Sequence, residues 1–500
     1  MPNADSAGRE EVLLRPNFVR MLVFVLLLAF SAILECLKLS ALRDPEIWGH
    51  LRIGTWILEH RSLPDSGLFS QASGLPWRDL SWGFDTLVAL LYRVVGLRTL
   101  PPLQVCFRVA LAIVTFLVAG GWRNFWSAAV LSAGAQYILF SIRPFATYVS
   151  LTFLGVELLL LLDARESGKL RALFALPLLL FLWANLDLGF VYGVVLYVLF
   201  LAVLLIEAWD KSSQSRWFDH SAVKISLPTA AGIGGACLIA GCFTPNTFHA
   251  YASFFAGEFS RVNPSLPGYT AMGFRQPQDY ALMLLAMTAF LSLGLLRSRD
   301  IFLAGVLCGS TALAFYAQRD SWLLTLASVA VVGHVFLRKG GNLQPGRWFL
   351  WDWRYFALVG AALALTFFVF VIRVPRKPDV LLSKAAEKLP VHAADYLRQH
   401  PAPAPLFNSY LWGGFLTWYL PEYPVAIDAR RGLYPEDQEV DYFKFMNAEI
   451  PFRDFPPMKD ARTVLLDKTS VMGEALRGVR GFQVLYEDDI SIVYSQEIKE

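Results

Sequence analysis

Twelve stretches of 16 to 25 mostly apolar residues recur along this chain, at about 18–42, 82–97, 101–119, 124–141, 145–163, 170–187, 189–209, 222–243, 279–297, 299–317, 320–338 and 352–373. One helix needs about 20 such residues to cross a bilayer. A helix also satisfies its own backbone hydrogen bonds in lipid, where an open strand cannot. So much apolar length in consecutive blocks excludes an ordinary soluble enzyme. Charge agrees: 17% of the residues are charged, against about 25% in soluble chains. Residues 376–500 hold 34 of those charges and the preceding 375 residues hold 51, so an apolar body precedes a polar tail. The body carries a net +7 and the tail −4. The expected fold is mainly α: a polytopic transmembrane helical bundle with a small C-terminal α/β domain.

Arginines 9, 15 and 20 flank the first run, which exceeds a signal peptide in length and lacks a cleavage pattern. It reads as a retained anchor with residues 1–17 cytoplasmic. Lys169/Arg171, Lys211/Arg216/Lys224, Arg297/Arg299 and Arg338/Lys339/Arg347 mark further cytoplasmic connectors. Alternation leaves Pro144, 244–278, 318–320 and everything after Arg373 outside. Arg93 and Arg98 should face the cytoplasm, yet only two runs separate them from Pro144. Either one of those runs is incomplete, or 124–141 breaks near Gly134-Ala135-Gln136. The expectation is 11 or 13 crossings in a plasma (inner) membrane, with a membrane domain 18–374, a first external loop 43–81 and an exported domain 375–500.

The first loop is the most informative stretch. Asp44-Pro45 is a helix start, with Asp as N-cap and Pro at the first helical position. Ile47/Trp48, Leu51, Gly54/Thr55 and Leu58 then form an apolar stripe at helical spacing, as in a helix lying in the membrane interface. Glu46 and His50 are four apart and share a face. Asp44 is either a cap or a carboxylate held at the membrane surface, able to bind a divalent cation or to take a proton from an attacking acceptor. Spacing does not separate the two.

A carboxylate pair just after the first span, followed by an interfacial helix, resembles the GT-C glycosyltransferase superfamily. More narrowly, the chain is similar to a group of poorly characterised bacterial membrane proteins with DPDxWWHL and WANLHGGF-type motifs. The matching residues are Asp44 to Leu51, Pro64 to Ser70, Gly74 to Trp77, Arg143-Pro144, Trp183 to Phe190, Gln318-Arg319, Asn408 to Gly414 and Ile427 to Arg430. The departures are Gly49 for a Trp, Ser81 for a Glu, Asp187 for a His and Leu188 for a Gly. The resemblance implies transfer of a sugar from a polyprenyl-phosphate-linked donor to an acceptor glycan, lipid or protein at the external face. It implies Asp44 and Glu46 as catalytic carboxylates and Asp44 as a ligand to Mg or Mn. His50, Arg143, Asn185, Asp187 and Arg319 would bind substrate. The altered positions keep open a non-catalytic scaffold or lipid-handling partner on the same fold.

Other signals are quieter. Asn185 and Asp187 lie between two apolar runs, as helix-terminal residues or as a second wall of the site. Arg143, Arg275 and Arg319 suit bidentate phosphate recognition, or snorkelling. The histidines form no metal pattern, the five cysteines all sit in apolar runs, and no nucleotide-binding loop is present. In the tail, 405–408, 425–428, 461–466, 482–486 and 490–494 read as strands and 391–400 and 471–477 as helices. Asp428 and Arg430 are placed to pair with each other or to bind a ligand.

Overall fold

A computed structural model describes residues 16–141, 145–168, 170–212, 217–219, 225–266, 268–339, 353–375 and 377–496. The first helix, α1 (Pro16–Lys38), runs toward what we call the loop end of the bundle. There the chain turns into α2 (Pro45–His60) and α3 (Trp82–Val95), which pack on each other. It then descends as α4 (Leu100–Val118). Three contacts fix α4 antiparallel to α1: the Ala41 amide donates to Gln104 Oε1 at 2.6 Å, Arg108 pairs with Glu35 at 3.1 Å, and the Phe24 and Phe116 rings lie 4.8 Å apart.

The remaining columns alternate in direction: α5 (Phe125–Ile138), α6 (Phe145–Ser167), a broken column ending in α7 (Leu176–Ala184), α8 (Phe190–Ser212) and α9 (Leu227–Cys242). A short helix, α10 (His249–Glu258), follows at the loop end. The last four columns are α11 (Pro277–Leu295), α12 (Ile301–Tyr316), α13 (Ser321–Lys339) and α14 (Trp353–Arg373). Among the described residues, eleven columns join the two ends. At the end opposite the loop, Arg165 of α6 is buried between Glu207 of α8 and Asp300, at 2.9 and 3.1 Å.

The run 82–97 thus begins and ends at the loop end, whereas the sequence reading put Arg93 and Arg98 at the opposite end. By length and composition, Trp82–Val118 is one long apolar stretch, but a single turn of tighter helix at Gly96–Thr99 interrupts it. Both ends of α3 lie at the loop end. Its first turn is tied to Asn185, and Thr99 leads straight into the Leu100–Gln104 segment beside Ala41. One face of α3 (Phe84, Val88, Ala89) is buried, while Leu87, Leu90 and Val94 are exposed. That leaves an apolar stripe for the membrane interface.

The stripe on α2 goes elsewhere than expected. Ile47, Trp48, Leu51 and Gly54 are buried in protein. Gly54 admits the closest approach: a Cβ there would lie 2.0 Å from the Asp85 carbonyl oxygen of α3. The opposite side of α2 is covered by the C-terminal segment, with Trp48 4.6 Å from Trp418 and 5.4 Å from Phe415.

That segment continues through α15 (Pro378–Ala385), α16 (Val391–Gln399), α17 (Gly413–Tyr419) and α18 (Glu436–Met446) around a four-stranded sheet. The strands are β1 (Leu406–Asn408), β2 (Thr463–Asp467), β3 (Phe482–Glu487) and β4 (Ser491–Gln496), in the order β1-β2-β4-β3. β1 and β2 are parallel, and β3–β4 is the expected hairpin. Residues 425–428, expected as a strand, stay outside the sheet. The Val425 amide donates to Phe69 O and Val425 O accepts from Gln71, so this piece pairs with the first loop. Ile53, Ile57 and Trp77 of the loop share one apolar core with Phe407, Ile427 and Tyr442 of the tail.

Candidate functional site

Asp44 sits where the sequence places it, as the cap of α2. Its Oδ1 accepts from the Glu46 amide at 3.1 Å, and the side chain is 6% exposed. Glu46, one turn below His50, is exposed. An Asp–Pro start orients the carboxylate back over the first turn, where the free amides and the helix dipole hold its charge.

His50 is the centre of a buried polar cluster. Its Nδ1 lies 2.7 Å from Asp85 Oδ1, and the ring meets Phe84 edge-on. Ser81 Oγ donates to the same Asp85 oxygen at 3.0 Å and lies 3.3 Å from Asp79 Oδ1. Asp79 and Asp85 are both buried, and Asp85 Oδ2 and Asp79 Oδ2 have no hydrogen-bond partner among the described residues. Burial works against a charged imidazole, but Asp85 more than reverses it and holds His50 up to about 9. Burial, then the neighbouring Asp85, pushes the Asp79 carboxyl well above its ordinary range. Asp79 and Asp85 are additions to the expected site. The available signal was a carboxylate, Asp85, inside an apolar run, a costly position that demands a partner.

Asn185 is a clamp. Its Oδ1 accepts from Trp82 Nε1 at 3.0 Å, and its Nδ2 donates to Phe181 O and Phe243 O. Asp187 accepts a short hydrogen bond from Ser150 and one from the Gly189 amide at 2.9 Å. Burial raises its carboxyl, and the charges of Arg431 and His50 oppose that. The loop between α7 and α8 thus stands within electrostatic reach of the first loop.

Arg319 begins the turn before α13 and pairs with Glu258 of α10, with Asp320 3.7 Å from its Nε. Its guanidinium lies 3.8 Å over the Tyr269 ring. Arg431 of the tail donates to the hydroxyl of the same tyrosine at 2.9 Å. Arg275 is exposed. Arg143 lies outside the described residues. Asp428 and Arg430 do pair, with contacts of 3.0, 3.0 and 2.7 Å. Arg430 also donates to Leu68 O and stacks on Trp77, locking tail to loop.

Among the described residues, no group of three His, Cys, Asp or Glu side chains is arranged to hold a metal ion. A Mg or Mn ion at Asp44 would take its remaining ligands from water and substrate oxygens rather than from such a cluster.

No family model matches the sequence, and no curated protein matches it. Among solved structures, the chain is similar to the Archaeoglobus fulgidus oligosaccharyltransferase tethered to an acceptor peptide containing the NVT sequon. Identity is 10% and the TM-score 0.52, over 95% of this chain and 74% of that one. The archaeal oligosaccharyltransferase AglB from the same organism, in complex with an inhibitory peptide and a dolichol-phosphate, gives 10% identity and a TM-score of 0.49, over 95% and 74%. ArnT from Cupriavidus metallidurans, bound to undecaprenyl phosphate, gives 11% and 0.42, over 94% and 97%. At such identity likeness speaks to fold alone, and the first of the three carries it. With its columns closed at one end by a helix pair and an α/β layer, the chain is a multi-pass membrane protein of GT-C-like fold.

Proposed function

We propose that the protein is a glycosyltransferase that moves a sugar from a polyprenyl-phosphate-linked donor to an acceptor at the loop end, outside the plasma membrane. The observation that carries this reading is the gathering of Asp44, Glu46, His50, Asp187 and Arg319 at one end of a GT-C-like bundle, from segments as much as 275 positions apart. The acceptor oxygen would attack the anomeric carbon as the bond to the phosphate oxygen breaks. Asp44 would take the acceptor proton, while the departing lipid phosphate keeps the bonding electron pair. Cationic His50 and Arg319 would oppose the charge that grows on the phosphate, the form of help worth most in a dry site.

Asn caps a helix as well as Asp does, so Asp44→Asn separates capping from chemistry. The expected outcome is at least about a hundredfold loss of transfer, of the size general-base removal gives, with an unchanged melting temperature. Full transfer by the variant would sink the assignment. The scaffold reading draws on the same cap, because a 6%-exposed Asp44 already has a structural task. It expects lipid binding without turnover in the wild-type protein.

A further inference from the structure

Arg430 and Arg431 are neighbours with opposite fates. Arg430 is consumed by its fork-to-fork pairing with Asp428. Arg431 instead reaches across from the tail to the membrane body. Its main-chain oxygen is held by Trp77 Nε1 at 3.2 Å, and the side chain lies against Gly257, where a Cβ would come within 2.9 Å of Nη1. The guanidinium is half-buried and gives one hydrogen bond, to the Tyr269 hydroxyl. Among the described residues no carboxylate lies within ion-pair distance of it. Asp187, Asp320 and Glu439 feel its charge only from farther away. Arg319, on the face of the same tyrosine, does have its charge matched, by Glu258 and Asp320.

A half-buried guanidinium with donors that protein leaves unused and no carboxylate at ion-pair distance can take an anion, and its planar fork suits phosphate oxygens. We propose that Arg431, supplied by the C-terminal layer, binds a phosphate at the loop-end site and that the membrane body's own site is incomplete without it. The environment favours an anion there. Burial lifts Glu439 to about 7, so this carboxylate of the tail offers Arg431 only part of a charge near neutrality. The identity of the phosphate as a lipid-linked one rests on the function proposed above.

Full-length protein in detergent, titrated with farnesyl phosphate and separately with inorganic phosphate, tests this. Arg431→Gln keeps a donor for Tyr269 and removes the charge. Its expected affinity for farnesyl phosphate is about tenfold weaker, the worth of one charge-assisted hydrogen bond, with farnesol binding and melting temperature unchanged. Arg431→Lys should recover part of the loss, which a merely structural role would not predict. A loss confined to farnesyl phosphate identifies a lipid phosphate, and a parallel loss for inorganic phosphate identifies a free-phosphate site. Wild-type affinity in Arg431→Gln overturns this inference alone, whereas a wild-type protein that binds neither phosphate overturns it together with the lipid-linked donor.

Discussion

At the level of single residues, the charge on His50 is set by a partner 35 positions away. Burial would neutralise the ring, and Asp85 at 2.7 Å keeps it protonated up to about pH 9. The folded value lies above the ordinary 6.5, so the pair's stabilisation is fully present below pH 6.5 and is lost as pH rises through 9. We expect Asp85→Asn to cost about 3 kcal/mol at pH 6, the linkage equivalent of that shift. The gap to wild type should close by about pH 10. Melting curves of both proteins across this range check it, and a gap that stays constant with pH would refute the pairing. His50 stood out in the sequence because it shares a helix face with Glu46. Asp85 showed only as a carboxylate in an apolar run, and its pairing with His50 did not, because a contact between two helices leaves no trace in local spacing.

At the level of elements, α3 shows where apolar length misleads. Phe84, Val88 and Ala89 face α2 while Leu87, Leu90 and Val94 face outward. A helix apolar on both sides resembles a span even when only one side meets lipid. Arg93 and Arg98 are exposed at the end that carries the tail, where long basic side chains can reach the interface. In a cysteine-free background, Arg98→Cys should react with a membrane-impermeant maleimide from the same side as Ser470→Cys in the tail. Labelling from the opposite side would restore α3 as a crossing. The segment 425–428 erred in a related way: its β-rich residues do extend, but its partner is Phe69–Gln71 of the first loop, beyond the reach of any pattern within the tail.

At the level of the whole molecule, the tail and the first loop make one layer over the bundle. α17 crosses α2 where Gly414 meets Gly49, and a Cβ on Gly414 would lie 3.0 Å from the Pro45 carbonyl oxygen. Gly414→Val should wedge this crossing apart at a cost of about 1–3 kcal/mol, as overpacking does. It should open the 69–71 and 425–431 contacts to protease and weaken farnesyl phosphate binding along with Arg431. Cleavage kinetics and binding equal to wild type would show that the crossing tolerates a side chain. At Gly49 itself a Cβ would rest at ordinary contact distance, 3.5 Å, from Gly414 Cα.

Apolar run length, basic connectors, the Asp44-Pro45 cap and the charge contrast between body and tail were enough to specify a helical membrane bundle, the α2 start and the polar C-terminal layer. These are local properties: a span needs only its own twenty residues, and a cap only its first turn. The return of α3 to the loop end, the burial of the α2 stripe, the Asp85 and Asp79 partners and the delivery of Arg431 to Tyr269 came only with packing. Each depends on which surfaces meet across hundreds of residues, and side-chain pairing at that range is set by the energy of the assembled fold.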